Sequence, residues 1–337
     1  MAQWILRQGG KTRFRYVRGD GKPVRDERTL ERIRLLVIPP AWKDVHIAAS
    51  ASAEVQAWGM DAKERKQYRY HSRAVERGQL RKYYRVRELA KDLPDIRRRV
   101  RTHAASRTPS KRAVAAAVVR LISESFFRIG SEKYATENKT FGIATLRKRH
   151  VQILDGRVVF TYVGKKSIKQ RQTVANRELA ALVRRQLATP GTRLFRYKEG
   201  SHWHDLTSRD VNDYLHDTLG VAYSAKDFRT WGGTLRAATV LAEIGPGRTP
   251  TETTRNVMTT MRLVASELGN TPAICRKSYV HPMIVARYVD DGETIALPKK
   301  YVPQPDAYAH SPEERALIRF LDTHFPERRK RSRKEAA

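Results

Sequence analysis

Gly269-Asn270-Thr271-Pro272-Ala273-Ile274-Cys275-Arg276-Lys277-Ser278-Tyr279-Val280-His281-Pro282 is the stretch from which the rest of the chain can be read. Gly269 closes a helical run in which Val257, Met261, Val264 and Leu268 recur at helical spacing. Thr271 and Pro272 have the N-cap and first-position chemistry of a new helix, and Pro282 disfavours helix just after Tyr279. A short helix carrying a phenol results. Asn270 precedes Tyr279 by nine residues, with Arg276 and Lys277 close by, so donors and positive charge surround one potential oxygen nucleophile. A tyrosine on its own is most often an amphipathic packing residue. The rest of the chain decides which role applies.

At 337 residues and 40% hydrophobic content the chain is long enough for about two domains with real cores. Lys and Arg number 67 against 35 Asp and Glu, a formal charge of +32 spread along the whole length. Such a surface repels itself unless it meets a polyanion, and nucleic acid is the expected one. Charge alone leaves a purely structural, ribosome-like role open. The single cysteine, Cys275, excludes an intramolecular disulfide framework and a cysteine-based zinc site, and it fits a reducing compartment. The N-terminus has no apolar signal core, and the longest strictly apolar run, Ala113 to Val119, is too short to cross a bilayer. These features lead us to expect a soluble cytoplasmic protein without a membrane partner.

Along the chain, Arg13 to Arg18 alternates basic with mostly apolar residues, and Gly19-Asp20-Gly21 before Lys22-Pro23-Val24 predicts a hairpin. Leu30, Ile33 and Val37 predict a helix from Asp26 that Pro39-Pro40 ends. Val45 to Ala48 and Glu54 to Gly59 read as short strands, making residues 1–76 a small β-rich domain. In Lys63 to His71, cations interleave with Gln67, Tyr68, Arg69 and Tyr70. Such a segment can grip phosphates, read a base edge through Gln67 and pack aromatics on sugars or bases. It can equally be an ordinary strand with Tyr68 and Tyr70 in the core.

After Ser72 the pattern turns helical, and residues 77–326 form a second, mainly helical domain. Thr108-Pro109-Ser110 caps a helix with Val114, Val118, Leu121, Ile122 and Phe126 on one face and Arg128 at its far end. Gly142 to Leu146 and Val151 to Leu154 read as strands, Asp155-Gly156 as a hairpin turn, and Val158 to Val163 as the returning strand, which places Lys165 and Lys166 at a hairpin end. Lys226-Asp227-Phe228-Arg229-Thr230-Trp231-Gly232-Gly233 opens another helix, so Arg229 lies near a helix start, where a cation is unfavourable unless an anion is close. Ser311-Pro312-Glu313-Glu314 starts a last amphipathic helix, and residues 327–337 form a basic tail expected to be disordered.

Gly164-Lys165-Lys166-Ser167 superficially imitates a phosphate loop, but position 159 is valine and the segment follows a hairpin, so nucleotide hydrolysis is rejected. No His-Glu-x-x-His and no tight carboxylate cluster offers a metal site. One chemistry open to the phenol of Tyr279 is attack on a phosphodiester. In-line attack by Tyr279 would concentrate negative charge on the non-bridging oxygens, and fixed donors are then the main catalytic resource. Arg128 and Arg229 offer planar forks for phosphate oxygens, and Asn270 adds a neutral donor. Lys165 can protonate the departing alkoxide. The same cations favour the phenolate of a residue whose ordinary pKa is about 10.

The ordered set Arg128, Lys165, Arg229, Asn270, Tyr279 resembles that of the type IB DNA topoisomerase family, in its small poxvirus and bacterial branch. The likeness runs from the N-terminal hairpin to about Tyr288. It is carried by Arg-Ile-Gly-Ser-Glu-Lys-Tyr-Ala at 128–135, Lys-Asp-Phe-Arg-Thr-Trp at 226–231 and Cys-Arg-Lys-Ser-Tyr-Val-His-Pro at 275–282. The resemblance implies an α+β protein: a small β-rich N-terminal DNA-binding domain plus a mostly α-helical catalytic domain with a small β-hairpin sheet, forming a clamp around double-stranded DNA. It implies a monomeric, nucleoid-associated enzyme in which Tyr279 forms a 3′-phosphotyrosyl bond and the freed strand swivels before religation, with neither ATP nor metal as cofactor. It assigns Arg128, Arg229 and Asn270 to the scissile phosphate and Lys165 to acid catalysis. Lys133, Tyr134 and Lys226 match flanking phosphate contacts, and Gln67-Tyr68-Arg69-Tyr70 matches a major-groove segment. Many relatives carry His where this chain has Asn270, and an amide donates a hydrogen bond without transferring protons near neutral pH. A tyrosine recombinase shares the chemistry but needs two paired sites, and a non-enzymatic DNA-compaction protein would share only the charge.

Overall fold

Alternating apolar and polar side chains build a five-stranded antiparallel sheet at the start of the chain. Its strands are β1 (Trp4–Gly9), β2 (Phe14–Val17), β3 (Lys43–Ala48), β4 (Val55–Met60) and β5 (Lys66–Tyr70), in the spatial order β2-β1-β3-β4-β5. The computed structural model describes residues 4–10, 13–220, 222–298 and 306–325. Ile5, Ile47 and Ala57 lie in one row across the sheet and, with Val45, face helix α1 (Glu27–Leu35) through its buried Ile33. The opposite face carries the row Leu6, His46, Trp58, Tyr68. There the His46 ring stacks on the Trp58 indole at 3.9 Å, and the Lys66 ammonium lies 3.7 Å from the same ring.

Two local expectations differ here. The Gly19–Gly21 turn leads to a single bridge between Val17 and Pro23 rather than to a strand, and β2 pairs instead with β1. Proline lacks the N–H that would continue the ladder. Helix α1 starts where expected, with Asp26 accepting the Thr29 N–H at 3.0 Å, but it ends at Leu35. Val37 sits outside it, exposed and left-handed at φ 45°, and offers its carbonyl to Arg69 at 2.7 Å.

The chain divides into two compact units, Met1–Lys82 and Tyr83–Ala337, the division falling inside the long helix α2 (Ser72–Ala104). In the second unit α3 (Lys111–Ser125) is buried on nearly every side, with all of Ala113 to Val119 inaccessible, which makes it the central helix rather than a one-faced amphipathic one. After α4 (Glu132–Glu137) comes a three-stranded antiparallel sheet, β6 (Val151–Leu154), β7 (Arg157–Val163) and β8 (Lys169–Val174). Then follow α5 (Arg177–Leu187), a hairpin of β9 (Arg196–Glu199) and β10 (His202–Asp205), and α6 (Ser208–Asp213), which runs into one π-helical turn. The chain continues through α7 (Ala225–Ile244), α8 (Pro250–Leu268), α9 (Pro272–Ser278), α10 (Pro282–Asp291) and α11 (Pro312–His324).

Residues Gly142 to Leu146, expected as a strand, form a 3-10 turn at Ile143–Thr145. The cause is a close approach of two backbones. A Cβ on Gly142 would lie 2.4 Å from Gly130 N and 2.5 Å from Arg128 O, and the turn's Ile143 N–H donates to Arg128 O at 2.7 Å. The last helix is fixed by polar contacts. Glu314 is buried but receives both arms of Arg97 at 3.0 and 2.6 Å. Burial pushes its carboxyl up, and the Arg97 contacts outweigh this and hold it below the ordinary range. Among the described residues no helix is long and apolar enough to cross a membrane. The 327–337 tail lies outside the described residues.

Candidate active site

The site is organised by the C-terminal end of α8. Gly269 adopts the left-handed conformation at φ 59°, and the next N–H, of Asn270, returns to Ala265 O at 2.9 Å. Thr271 then caps α9 by accepting the Ile274 N–H at 3.4 Å, with Pro272 in the first turn. Seven residues later the helix stops, and Tyr279 ends it with its N–H on Cys275 O at 2.9 Å. The half-buried Tyr279 rests on α7, where Thr234 Oγ1 donates to its carbonyl at 3.3 Å.

A pair of glycines in α7 makes that seat possible. A Cβ on Gly233 would come 2.7 Å from Tyr279 O and 3.2 Å from Tyr279 Cβ. On Gly232 it would come 2.1 Å from the ring of Phe126. Glycine costs a helix interior about 1 kcal/mol relative to alanine, and here the cost buys close approach of two site elements. Within the same turns, Arg229 is only 3% exposed. Its Nη1 donates to Phe126 O and its Nη2 to Leu268 O at 2.8 Å. Phe126 is the left-handed cap of α3 and Leu268 the last residue of α8, so one guanidinium satisfies orphan carbonyls at two helix C-termini, where the dipoles favour a cation. Thus the partial negative charge that offsets Arg229 near its own helix start comes from protein carbonyls. Burial still pulls the guanidinium down from its ordinary value, and the neighbouring Tyr279 phenol works in the opposite direction.

Arg128 approaches the same turn from the other side. Its Nη2 donates to Gly269 O at 2.9 Å and to Asn270 Oδ1. It lies beyond α3 rather than on its last turn, in a stretch pinned by the Gly130–Gly142 contact, so it is no dipole partner of that helix. Arg229 Cζ is 5.2 Å from the centre of the Tyr279 ring. The structure therefore brings Arg128, Arg229, Asn270 and Tyr279 together. Two donors in this cluster, Arg229 Nε and Asn270 Nδ2, are buried without a partner. Buried donors are almost always satisfied, so these mark unspent capacity for an acceptor beside the phenol. Lys165 stands exposed on the 3-10 turn that joins β7 to β8, with Lys166 left-handed at φ 62° beside it. Lys165 has no hydrogen bond to the other four.

Two further groups lie near the arginines. Cys275 is fully buried and burial pushes its thiol up to about 11, which makes it a packing residue. The Tyr162 phenol is likewise pushed up to about 12 by burial, against the pull of Arg229 and Arg128, and donates to Gln172 Oε1 at 3.1 Å. Tyr162 carries no signal in the sequence beyond its place on a strand.

Lys133 is exposed on α4, 3.9 Å from Glu137, and Lys226 is exposed in the first turn of α7; Tyr134 is 44% exposed. In the first unit, β5 presents Tyr68 and Tyr70 at 42% and 53% exposure, stacked on each other at 5.8 Å, so they are not core residues. Gln67 and Arg69 are engaged internally. The amide of Gln67 donates to Asp61 at 3.0 Å, and Arg69 ties down Val37. Among the described residues no group of three His, Cys, Asp or Glu side chains could hold a metal.

The family described as eukaryotic DNA topoisomerase I, catalytic core, matches residues 71–300, and that of the bacterial DNA topoisomerase IB N-terminal domain matches residues 13–61. The chain is similar to DNA topoisomerase 1B of Acanthamoeba polyphaga mimivirus, at 29% identity over 87% of this chain and 90% of that one. It is also similar to DNA topoisomerase 1B of Vaccinia virus strain Copenhagen, at 28% identity over 52% of this chain and 54% of that one. DNA topoisomerase I of Monkeypox virus gives 27% identity over the same shares. The chain thus spans about half the length of the poxvirus relatives it matches and nine-tenths of the mimivirus one.

Proposed function

Given that this chain belongs to the type IB DNA topoisomerase family, we propose that it relaxes supercoiled duplex DNA through a transient 3′-phosphotyrosyl intermediate on Tyr279. The observation that carries this reading is the convergence of Arg128, Arg229 and Asn270 on one half-buried phenol, with Arg229 Nε and Asn270 Nδ2 buried and unpaired. A phosphodiester seated there would meet the Arg128 guanidinium, the unpaired Nε–H of Arg229 and the Asn270 amide, donors set beside oxygens that gain charge in the transition state. The Tyr279 oxygen forms a bond to phosphorus as the bond to the 5′ oxygen breaks. The phenol proton passes to solvent, and Lys165 gives its ammonium proton to the leaving 5′ oxygen. Religation runs the same steps backwards after the free strand has rotated.

The phosphodiester energy stays in the tyrosyl link, so ATP has no task, and the fixed cations neutralise the charge that a metal would otherwise meet. On this reading Tyr68 and Tyr70, with Gln67 and Arg69 behind them, face the major groove, and Lys133, Tyr134 and Lys226 hold flanking phosphates. The chain clamps DNA as a monomer, associated with the nucleoid. Affinity then falls steeply with salt because each Lys or Arg contact releases counterions.

The test is relaxation of a supercoiled plasmid by the purified chain in EDTA without ATP. Full activity is expected. Tyr279→Phe should bind DNA and relax nothing, and a trapped adduct should map to Tyr279 and to a DNA 3′ end. Relaxation that survives Tyr279→Phe would overturn the assignment, and strand exchange confined to paired sites would favour a recombinase.

A further inference from the structure

Gln170, on β8 opposite Tyr162, is 8% exposed, yet its amide is hydrogen-bonded to none of the described residues. Two glycines make room for it. A Cβ on Gly164 would lie 2.8 Å from Gln170 Cγ, and one on Gly269 would lie 1.9 Å from Gln170 Oε1 and 2.7 Å from its Cδ. Gly164 is the residue before Lys165, and Gly269 is the residue before Asn270. One side chain therefore fills the gap between the two turns that carry these residues.

Both turns are stiff enough to transmit its position. The hairpin end is closed by the Gly164 N–H on Ile168 O at 2.8 Å, with Lys166 and Ser167 both left-handed at φ 62° and 60°. The other turn is held by Arg128 on Gly269 O. Close-packed contacts of this kind pass displacements on rather than absorbing them.

We propose that Gln170 is a positioning residue: its side chain, wedged between Gly164 and Gly269, sets the turn of Lys165 against the phosphate-binding group of Asn270 and Arg128. The proposal rests on the reading of Lys165 as the acid that protonates the leaving 5′ oxygen. Misplacing a catalytic group by about 1 Å costs on the order of 100-fold in rate, so loss of the wedge should slow cleavage without weakening DNA binding.

The experiment measures single-turnover adduct formation by Gln170→Ala, Gln170→Met and Lys165→Ala on two duplexes, one ordinary and one with sulfur replacing the bridging 5′ oxygen at the cleavage site. A thiolate leaves without a proton, so the second duplex bypasses the acid. Gln170→Ala should be about 10- to 100-fold slow on the ordinary duplex and near the wild-type rate on the sulfur duplex. Gln170→Met, which keeps the stem and most of the volume, should recover most of the loss, and DNA affinity should not change. Lys165→Ala should show a larger loss with the same rescue, and its failure to be rescued would sink the acid assignment itself. If Lys165→Ala is rescued but Gln170→Ala is equally slow on both duplexes, or is fast on both, the positioning role is overturned. Equal losses in Gln170→Ala and Gln170→Met would place the effect in the amide and overturn the wedge. Should Gln170→Ala not fold, Gly164→Ala supplies the second probe. Its methyl would press on Gln170 Cγ and should produce the same sulfur-rescued defect, and a wild-type rate there would equally refute the wedge.

Discussion

Replacing Gly233 by alanine sets two effects of known size against each other. In a helix interior alanine is favoured over glycine by about 1 kcal/mol, so propensity alone forecasts a more stable protein. The new methyl, however, would sit 2.7 Å from the carbonyl oxygen of Tyr279, 3.1 Å from Leu268 Cδ1 and 3.2 Å from Tyr279 Cβ. Ordinary contact begins near 3.4 Å, so the Tyr279 backbone must retreat from α7 by about 0.7 Å. Overpacking of this kind costs about 1–3 kcal/mol, enough to cancel or reverse the propensity gain. The larger consequence is kinetic. A shift approaching 1 Å in the nucleophile's own backbone is worth about 10- to 100-fold in rate, and it also strains the Thr234 hydrogen bond. Adduct formation on a radiolabelled duplex under single-turnover conditions, with DNA affinity and thermal unfolding measured alongside, reads both effects. Slow cleavage with unchanged affinity and nearly unchanged melting temperature is expected. Cleavage at the wild-type rate would show that the seat of Tyr279 on α7 does not control its chemistry.

Three further outcomes are expected. Gly78→Ala, in a part of α2 where a Cβ meets nothing within 4 Å, should instead stabilise the protein by about 0.5–1 kcal/mol in urea denaturation; destabilisation there would undercut the contrast with Gly233. Arg229→Lys keeps the charge, but a single ammonium cannot span Phe126 O and Leu268 O, and an orphaned buried carbonyl costs about 1–3 kcal/mol. The urea midpoint should fall and cleavage should be lost, and a full-strength variant would refute the double-capping account. His150 is held at about 4, first by burial and then by Arg149 and Arg147, below its unfolded value near 6.5. The fold therefore favours the neutral ring, which accepts the Arg147 N–H at 3.1 Å. Its contribution is complete above pH 6.5 and is lost as pH falls toward 4. Melting temperature against pH should drop across that window less steeply in His150→Asn than in the wild type, and identical slopes would exclude His150 as a source.

Much of the local architecture was legible in the sequence, because its causes act within a few residues. Asp26, Ser110, Thr271 and Ser311 each cap the helix expected of them, and Gly269 ends α8 in the left-handed conformation. The switch from period two to helical patterning near Ser72 separates a β-sheet region from a mostly helical one. The exceptions have contact-level causes: Gly142 pressed on Gly130 turns an expected strand into a 3-10 turn, and Pro23 cuts a hairpin to one bridge. The buried surroundings of α3 were also not readable from its one-faced apolar pattern.

For the candidate site the division is sharper. The order of Arg128, Lys165, Arg229, Asn270 and Tyr279 and the motifs around them are properties of the sequence, and they suffice to identify the family. How the set is held together is not. Arg229 reaches carbonyls 103 residues before it and 39 residues after it, at the ends of two helices. The importance of Gly232, Gly233, Gly164 and Gly269 lies in which atoms occupy the space where a Cβ would be. Helix-end carbonyls become partners, and missing side chains become sockets, only when separate elements pack. The sequence by itself determined which chemical groups are present and where the capped helices begin; the tertiary structure alone decided which carbonyls neutralise the buried arginine and which side chain, Gln170, fills the space between the two turns.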